Sequence, residues 1–297
     1  MEFNADPRST PDRSAGCFNR GRFVSATQRT VDAAPGLLAG RVAIVTGSDS
    51  GIGAAVARAF AAAGADVAVS YLHDAAGAEG TKTAVETAGQ QGFVRRLDVC
   101  AEEDVERYFE EASRALGTAT LLVNAAGVDA SGVPVRDMTL AAWRTAIDSN
   151  LTGPFLCARA FLRRLPAVDG DRSGVRAKII NMTSVHEELP RAGASDYCAS
   201  KGGLRNLTRC LALELAPECV TAVNVAPGMI LTPMNQRDVD DPEQLRKDEG
   251  TIPLRRAGRT DEVAGLVLWL ASPAADYATG SSFTLDGGLM QNTGQGA

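Results

Sequence analysis

From Arg41 onward, short uninterrupted apolar runs alternate with longer stretches whose apolar residues recur at helical spacing. The run V-A-I-V-T, Val42–Thr46, stops at a glycine and reads as a strand covered on both faces. Gly51–Ala63 is rich in alanine and ends at Gly64, the pattern of a helix and its terminator. D-V-A-V-S-Y reads as a second strand, followed by a helix to about Ala88 and then by F-V-R-R-L-D-V. Further strands are predicted at Leu121–Asn124, Lys178–Met182, Thr221–Val225 and Ser282–Leu285. Helices fall between them, the longest over Leu140–Leu165 and Asp196–Ala216. This alternation predicts an α/β chain with a parallel sheet of about seven strands and helices on both faces. Right-handed crossovers make such a sheet doubly wound. No repeat or low-complexity linker divides it, so residues 38–297 read as one domain.

The first 37 residues break the pattern. They lack hydrophobic periodicity and are rich in Arg, Ser, Asp and Pro, so they are expected to be a flexible extension. They contain no apolar core of a secretory signal, and Glu2, Asp6 and Asp12 count against a transit peptide. No run of eighteen apolar residues occurs in the 297-residue chain, so no membrane partner is expected. The net charge of −6 and a pI near 5.1 disfavour nucleic acid as a main partner. Six cysteines, Cys17, Cys100, Cys157, Cys198, Cys210 and Cys219, are scattered without the close pairs of a zinc or redox site. They read as reduced thiols of a cytoplasmic protein, with no metal site expected.

Candidate chemistry begins at the first strand-to-helix turn, T-G-S-D-S-G-I-G. In doubly wound folds ligands bind at such turns. Glycines let backbone approach a pyrophosphate, and the helix that follows points free N–H groups and its positive dipole end at the charge. The spacing G-x-x-x-G-x-G, at Gly47, Gly51 and Gly53, therefore points to a Rossmann-type dinucleotide site. A second feature lies in S-D-Y-C-A-S-K, where Tyr197 and Lys201 are four residues apart and share one helix face. A phenol ordinarily loses its proton near pH 10. A neighbouring ammonium favours the phenolate and is expected to lower that value. Ser184, at the end of I-I-N-M-T-S, is placed to hydrogen-bond the same reacting oxygen.

Together these segments resemble the classical branch of the short-chain dehydrogenase/reductase family, from about Leu38 to Ala297. The glycine turn is similar to that family's cofactor turn, N-A-A-G (Asn124–Gly127) to its N-x-A-G segment, and A-P-G-M-I-L-T-P (Ala226–Pro233) to its P-G segment. Asn150 matches the family's helix asparagine, Ser184 its serine, and Tyr197 and Lys201 its Y-x-x-x-K pair. The resemblance implies hydride exchange between a nicotinamide cofactor and a small alcohol or carbonyl substrate. Tyr197 would be acid or base. Lys201 would lower its proton affinity and hold the nicotinamide ribose, Ser184 would orient the substrate oxygen, and the Asn150 carbonyl would hold a water leading to Lys201. Cofactor contacts are implied at Gly47, Ser50, Gly51, Ile52 and Gly53, at Tyr71, Asp98 and Val99, and along Asn124, Ala125, Ala126 and Gly127. Pro227, Gly228, Ile230 and Thr232 complete them, with Tyr197 and Lys201. A homotetramer is also implied.

The end of the second strand carries Ser70 and Tyr71 rather than an acid for the ribose 2′-hydroxyl, so NAD and NADP are both expected to serve, with a lean to NADP. Asp49, in the turn where many NADP-selective relatives carry a base, counts against that lean, and His73 could meet a phosphate. T-S-V-H-E-E-L-P resembles a run bordering the substrate pocket in a subgroup similar to bacterial glucose 1-dehydrogenase. Ser184, His186 and Tyr197, with Asp129 and Met229, are the expected substrate contacts; loop capping or a subunit contact competes for His186 and Glu187. A sugar or other small hydroxylated substrate is favoured. The alternatives are a reductase of 3-oxoacyl thioesters, a cofactor-sensing protein on the same fold, and a tail that tethers a partner. The segment Thr232–Glu243 reads as a polar lid, and N-T-G-Q-G-A as a tail able to reach a neighbouring subunit.

Overall fold

The apolar runs pair into one sheet whose order is β3-β2-β1-β4-β5-β6-β7, every pair parallel. A computed structural model describes residues 36–167, 174–235 and 241–292. The strands are β1 Val42–Thr46, β2 Asp66–Tyr71, β3 Gly92–Arg96, β4 Leu121–Asn124, β5 Ala177–Met182, β6 Val220–Pro227 and β7 Ser282–Leu285. Between them run the helices α1 Gly51–Ala62, α2 Ala75–Thr87, α3 Glu102–Leu116, α4 Leu140–Ile147, α5 Gly153–Leu162 and α6 Ser195–Leu215. Helices α7 Pro242–Thr251 and α8 Thr260–Ala271 precede β7.

Alternate residues of a strand face opposite ways, and here both faces are covered. Ala43 and Val45 of β1 join Val67, Val69 and Val123 beneath α1, α2 and α8. Ile44, Ala68, Leu122 and Ile179 point the other way, against α3, α5 and α6. That is why the central strands read as continuous apolar runs. Strand β1 pairs with both β2 and β4, so the winding reverses there and opens a crevice beyond the carboxyl ends of those strands.

Three predicted elements differ in extent by more than one residue at an end. The third strand was expected through Val99 but ends at Arg96, because its partner β2 ends at Tyr71; Leu97 N–H takes the last bond, 2.8 Å to the Tyr71 carbonyl. Leu97, Asp98 and Val99 then turn into the crevice wall. The long helix expected over Leu140–Leu165 is interrupted by a π segment, Asp148–Thr152, in which Gly153 N–H reaches back to Asp148. Pro154 has no N–H to continue the ordinary ladder. Such bulges concentrate at functional positions. Strand β6 runs two residues further at its carboxyl end than expected because β7 pairs with it as far as Pro227. The expectations for residues 1–37 and for the C-terminal tail lie almost wholly outside the described residues, as does the middle of the Thr232–Glu243 segment.

A row of polar side chains crosses the sheet just below the crevice, and the sequence pattern did not announce it. Asn124, Asn181, Asn224 and Ser282 stand in register on β4, β5, β6 and β7. Asn124 donates to Asn181 at 2.8 Å, Asn181 donates to Thr208 of α6 at 2.8 Å, Thr208 donates to Asn224 at 2.6 Å, and Asn224 donates to Ser282 at 3.1 Å. Buried polar groups are tolerated when they find partners, and in this row Asn124 Oδ1 is left without one. Thr208→Val keeps the shape and strands the Asn181 amide and the Asn224 carbonyl oxygen. The expected cost is about 1–3 kcal/mol of stability, read as a lower urea midpoint with an unchanged slope.

Candidate active site

The turn between β1 and α1 is held from behind by two buried serines. Ser48 donates to the Val45 carbonyl at 2.7 Å and accepts the Ser70 N–H at 3.1 Å, while Ser70 Oγ accepts the Gly47 N–H at 3.1 Å. Ser70 therefore fastens the turn to β2. Gly47 sits at φ +59°, and a Cβ there would lie 2.7 Å from Ala126 Cα. A Cβ at Gly53 would lie 2.1 Å from the Gly47 carbonyl oxygen. These two positions admit only glycine, and they bring the first N–H groups of α1 to the crevice floor. Thr46 Oγ accepts the N–H groups of Ala125 and Ala126, each at 3.1 Å, and so sets the opposite wall.

The crevice, about 400 Å³, is lined along one wall by Gly47, Ser50, Gly51, Ile52 and Gly53. Tyr71, Asp98, Val99, Ala125, Ala126, Gly127 and Thr232 line the rest. Asn124 does not reach it, being engaged in the polar row. At the outer end stand Asp49, Leu72, His73 and Asp74. The Asp49 carboxyl is pushed up by burial and by the nearby Asp74 charge, with His73 opposing. No lysine or arginine lines this crevice among the described residues.

A second chamber of about 410 Å³ joins it at Ile52, Thr232 and Met234. It contains Ser184, Tyr197, Pro227, Gly228, Met229 and Ile230, with Asp129 and His186. Arg191 and Asp248 also line it, and neither was expected there from the sequence. Arg191 lies in the loop between Ser184 and Tyr197, a placement that was open to inference. Asp248 depends on how α7 packs, which no local signal conveys. His186 Nδ1 lies 3.0 Å from the Leu189 carbonyl, and its ring meets Tyr197 edge-on at 6.1 Å. Glu187 turns away from the chamber toward Arg205.

Lys201 lies beneath Tyr197, only 6% exposed, with Nζ donating to the Met182 carbonyl at 2.9 Å and 5.5 Å from the centre of the Tyr197 ring. Asn150, in the π segment, is wholly buried. Its Oδ1 accepts the Val128 N–H at 2.8 Å, and its Nδ2 donates to the Val128 carbonyl at 3.0 Å and to Ser200 at 3.2 Å. The Asn150 side chain thus ties the loop after β4 to α6.

The proton affinities correct one expectation. Burial pushes the Tyr197 phenol up to about 12; the Ser184 hydroxyl pulls it down, Asp129 pushes it up and Arg191 opposes. The phenol was expected below its usual value; desolvation of the phenolate raises it instead, and the groups that lower it are Ser184 and Arg191. Lys201 itself is lowered to about 8 by burial, with Glu187 opposing.

The chain matches the protein family described as Enoyl-(Acyl carrier protein) reductase over residues 46–290. It is 39% identical to 3beta-hydroxysteroid dehydrogenase 1 of Eggerthella lenta over 257 residues, 85% of this chain and 94% of that protein. It is 34% identical to glucose 1-dehydrogenase 2 of Bacillus subtilis over 252 residues, 85% and 95% of the two chains. The crystal structure of acetoin dehydrogenase from Enterobacter cloacae superposes with a TM-score of 0.76 at 37% identity, covering 86% of this chain and 98% of that one.

Folding lowers the proton affinity of Lys201 from its usual 10.5 to about 8, so the ammonium opposes folding. That penalty is fully present below about pH 8, and it is relieved as pH rises towards 10.5, where the unfolded chain still holds the proton. Lys201→Met is therefore expected to unfold at higher urea at pH 7, by about 1–3 kcal/mol, with the gain vanishing near pH 10.5. A second expectation concerns the turn. Gly53→Ala should weaken NAD binding at least roughly tenfold, about 1.4 kcal/mol, in a calorimetric titration of folded protein.

Proposed function

The chain belongs to the short-chain dehydrogenase/reductase family and is an oxidoreductase that interconverts an alcohol and its carbonyl, and from that premise we propose roles for its residues. The glycine turn, folded so tightly that a Cβ at Gly53 would strike the Gly47 carbonyl oxygen, and the α1 amides beside it fit the pyrophosphate of a nicotinamide dinucleotide. The nicotinamide end would lie against Pro227, Gly228 and Ile230, near Tyr197, with Lys201 and Tyr197 at its ribose. When bound, the cofactor supplies or accepts the hydride.

Tyr197 is the proton donor to the substrate oxygen in reduction. Its raised value keeps the phenol protonated across neutral pH, and a developing alkoxide is a stronger base than phenolate, so the transfer runs downhill. In the reverse direction Tyr197 removes the proton, and the ammonium of Lys201 supports the phenolate. Ser184 holds the same oxygen from the other side. Asn150 fixes the wall that carries Gly127 and Val128. The observation that carries this reading is the placing of Tyr197 and Ser184 in one chamber, with the buried Lys201 directly below.

The substrate is a sugar or another small hydroxylated molecule. Support comes from Asp129, His186, Arg191 and Asp248, which give the chamber hydrogen-bonding and charged groups on several sides. The description of the matched family names an enoyl group on acyl carrier protein, so the second reading is an acyl-thioester substrate, here reduced at a 3-oxo group. Glucose oxidation and acetoacetyl-thioester reduction, run side by side, separate the two.

The neutral Ser70–Tyr71 position favoured NADP. Asp49 and Asp74 beside the crevice's outer end, with no facing lysine or arginine among the described lining residues, outweigh it. NAD and NADP both serve, with NAD preferred. The protein works in the cytoplasm, a reading supported by five free cysteines among the described residues. It assembles as a homotetramer. In support, β7 is a sheet edge, and an edge needs covering. Trp269 and Tyr277 stand exposed near that edge, and Leu140 and Phe155 on α4 and α5.

Tyr197→Phe is expected to remove nearly all turnover, at least roughly a thousandfold, while NAD affinity stays within a few-fold; undiminished turnover would contradict the assignment. For the coenzyme, kcat/KM with NAD should exceed that with NADP by roughly tenfold, and Asp49→Arg should narrow the ratio.

A further inference from the structure

Tyr197, Lys201 and Arg205 recur every fourth residue of α6 and share one face of the helix. The short 3₁₀ helix Val185–Glu187 packs on that face, with the Glu187 carbonyl oxygen 3.7 Å from the place a Cβ on Gly202 would take. The Glu187 side chain is 3% exposed, and its Oε1 lies 3.4 Å from Arg205 Nε. Its other oxygen, Oε2, is buried without a hydrogen-bond partner, and so is Arg205 Nε. Arg205 is shared, because its terminal nitrogen pairs with the more exposed Glu188. Glu187 lines neither chamber, so the reaction as described above leaves this enclosed carboxylate unused.

Lys201 has the complementary difficulty. Its ammonium is buried, and the acceptor it has among the described residues is a neutral carbonyl, that of Met182. A buried ammonium facing only neutral groups gives up its proton. The elements around it offer few charges. Strand β5 presents the Met182 carbonyl, the π segment presents Asn150, and α6 presents Tyr197 and the like-charged Arg205. From the chamber side, Asp129 and Arg191 act on Tyr197. The 3₁₀ helix presents Glu187, the one carboxylate among the described residues whose charge acts to keep Lys201 protonated.

We propose that Glu187 is a positioning residue: its buried carboxylate, divided between Arg205 and Lys201, is the counter-charge that holds Lys201 cationic beneath Tyr197. This rests on the reading of Tyr197 and Lys201 given above. Lys201 is held only partly, because burial works against its charge and the carboxylate offsets that only in part. Its charge, and with it the support for a phenolate, is then lost just above neutral pH rather than in strong alkali.

The chain has four lysines, Lys82, Lys178, Lys201 and Lys247, few enough to follow one by one. The full-length protein labelled with ¹³C and ¹⁵N at lysine Cε and Nζ is titrated by NMR, with Lys201 assigned by its absence in Lys201→Arg. In Glu187→Gln the midpoint of Lys201 falls by at least about one unit, while Glu187→Asp stays nearer the parent. A midpoint unmoved in Glu187→Gln overturns the proposal. Should that variant fail to fold, the double variant Glu187→Gln with Arg205→Gln, which removes both charges, carries the test: its Lys201 midpoint lies below that of Arg205→Gln alone, and equal midpoints overturn the proposal. The titration needs no turnover, so its failure leaves the alcohol–carbonyl reading standing, and failure of the Tyr197→Phe test would leave the titration standing.

Discussion

An ammonium group is held out of water under the crevice, and much of the molecule is arranged to make that tolerable. Lys201 reaches it from the second turn of α6, and Met182, the last residue of β5, offers its carbonyl. Tyr197 covers it from one turn earlier on the same helix face. Desolvation disfavours charge on both groups, and their displacements run in opposite senses: the phenol rises to about 12 and the ammonium falls to about 8. In the proposed reaction the neutral phenol is the resting proton donor. In that proposal its conversion to phenolate depends on Lys201 retaining its charge.

The fold supplies the precision this requires. Winding reversal at β1 and β4 leaves a crevice at the carboxyl ends of the strands, with Ser184 just beyond the end of β5 and Tyr197 and Lys201 on the first two turns of α6. Buried hydrogen bonds then fix these ends to one another. Thr46 sets the loop after β4, Ser48 and Ser70 set the glycine turn, and Asn150 ties that same loop to α6. The row from Asn124 to Ser282 locks four strands and α6 in register immediately beneath. A slip of one residue would place an apolar side chain opposite each of these polar groups.

Much of this was legible in the sequence, and the reasons are local. Apolar runs such as V-A-I-V-T report burial on both faces, and β1, β4 and β7 fall at their expected limits. Gly53 and Gly47 are read from spacing because only glycine fits there. Tyr197 and Lys201 are read from helical spacing. What was not legible depends on distant packing. The π segment arises where Pro154 meets a helix end tied to Val128, and helical periodicity continues smoothly across it. Asn124 looks like a crevice residue in N-A-A-G, yet its side chain is committed to Asn181 on the neighbouring strand. The sign of the Tyr197 displacement was misjudged because spacing reveals the neighbouring charge and says nothing about the depth of burial.

The most direct test follows the phenol itself. The chain has four tyrosines, so ¹³C labelling at tyrosine Cζ gives a readable spectrum, with Tyr197 assigned by its loss in the phenylalanine variant. The account predicts that Tyr197 remains protonated well past the usual value near 10 and titrates at about 12. A midpoint at or below 10 would mean that the ammonium outweighs burial, and would contradict it.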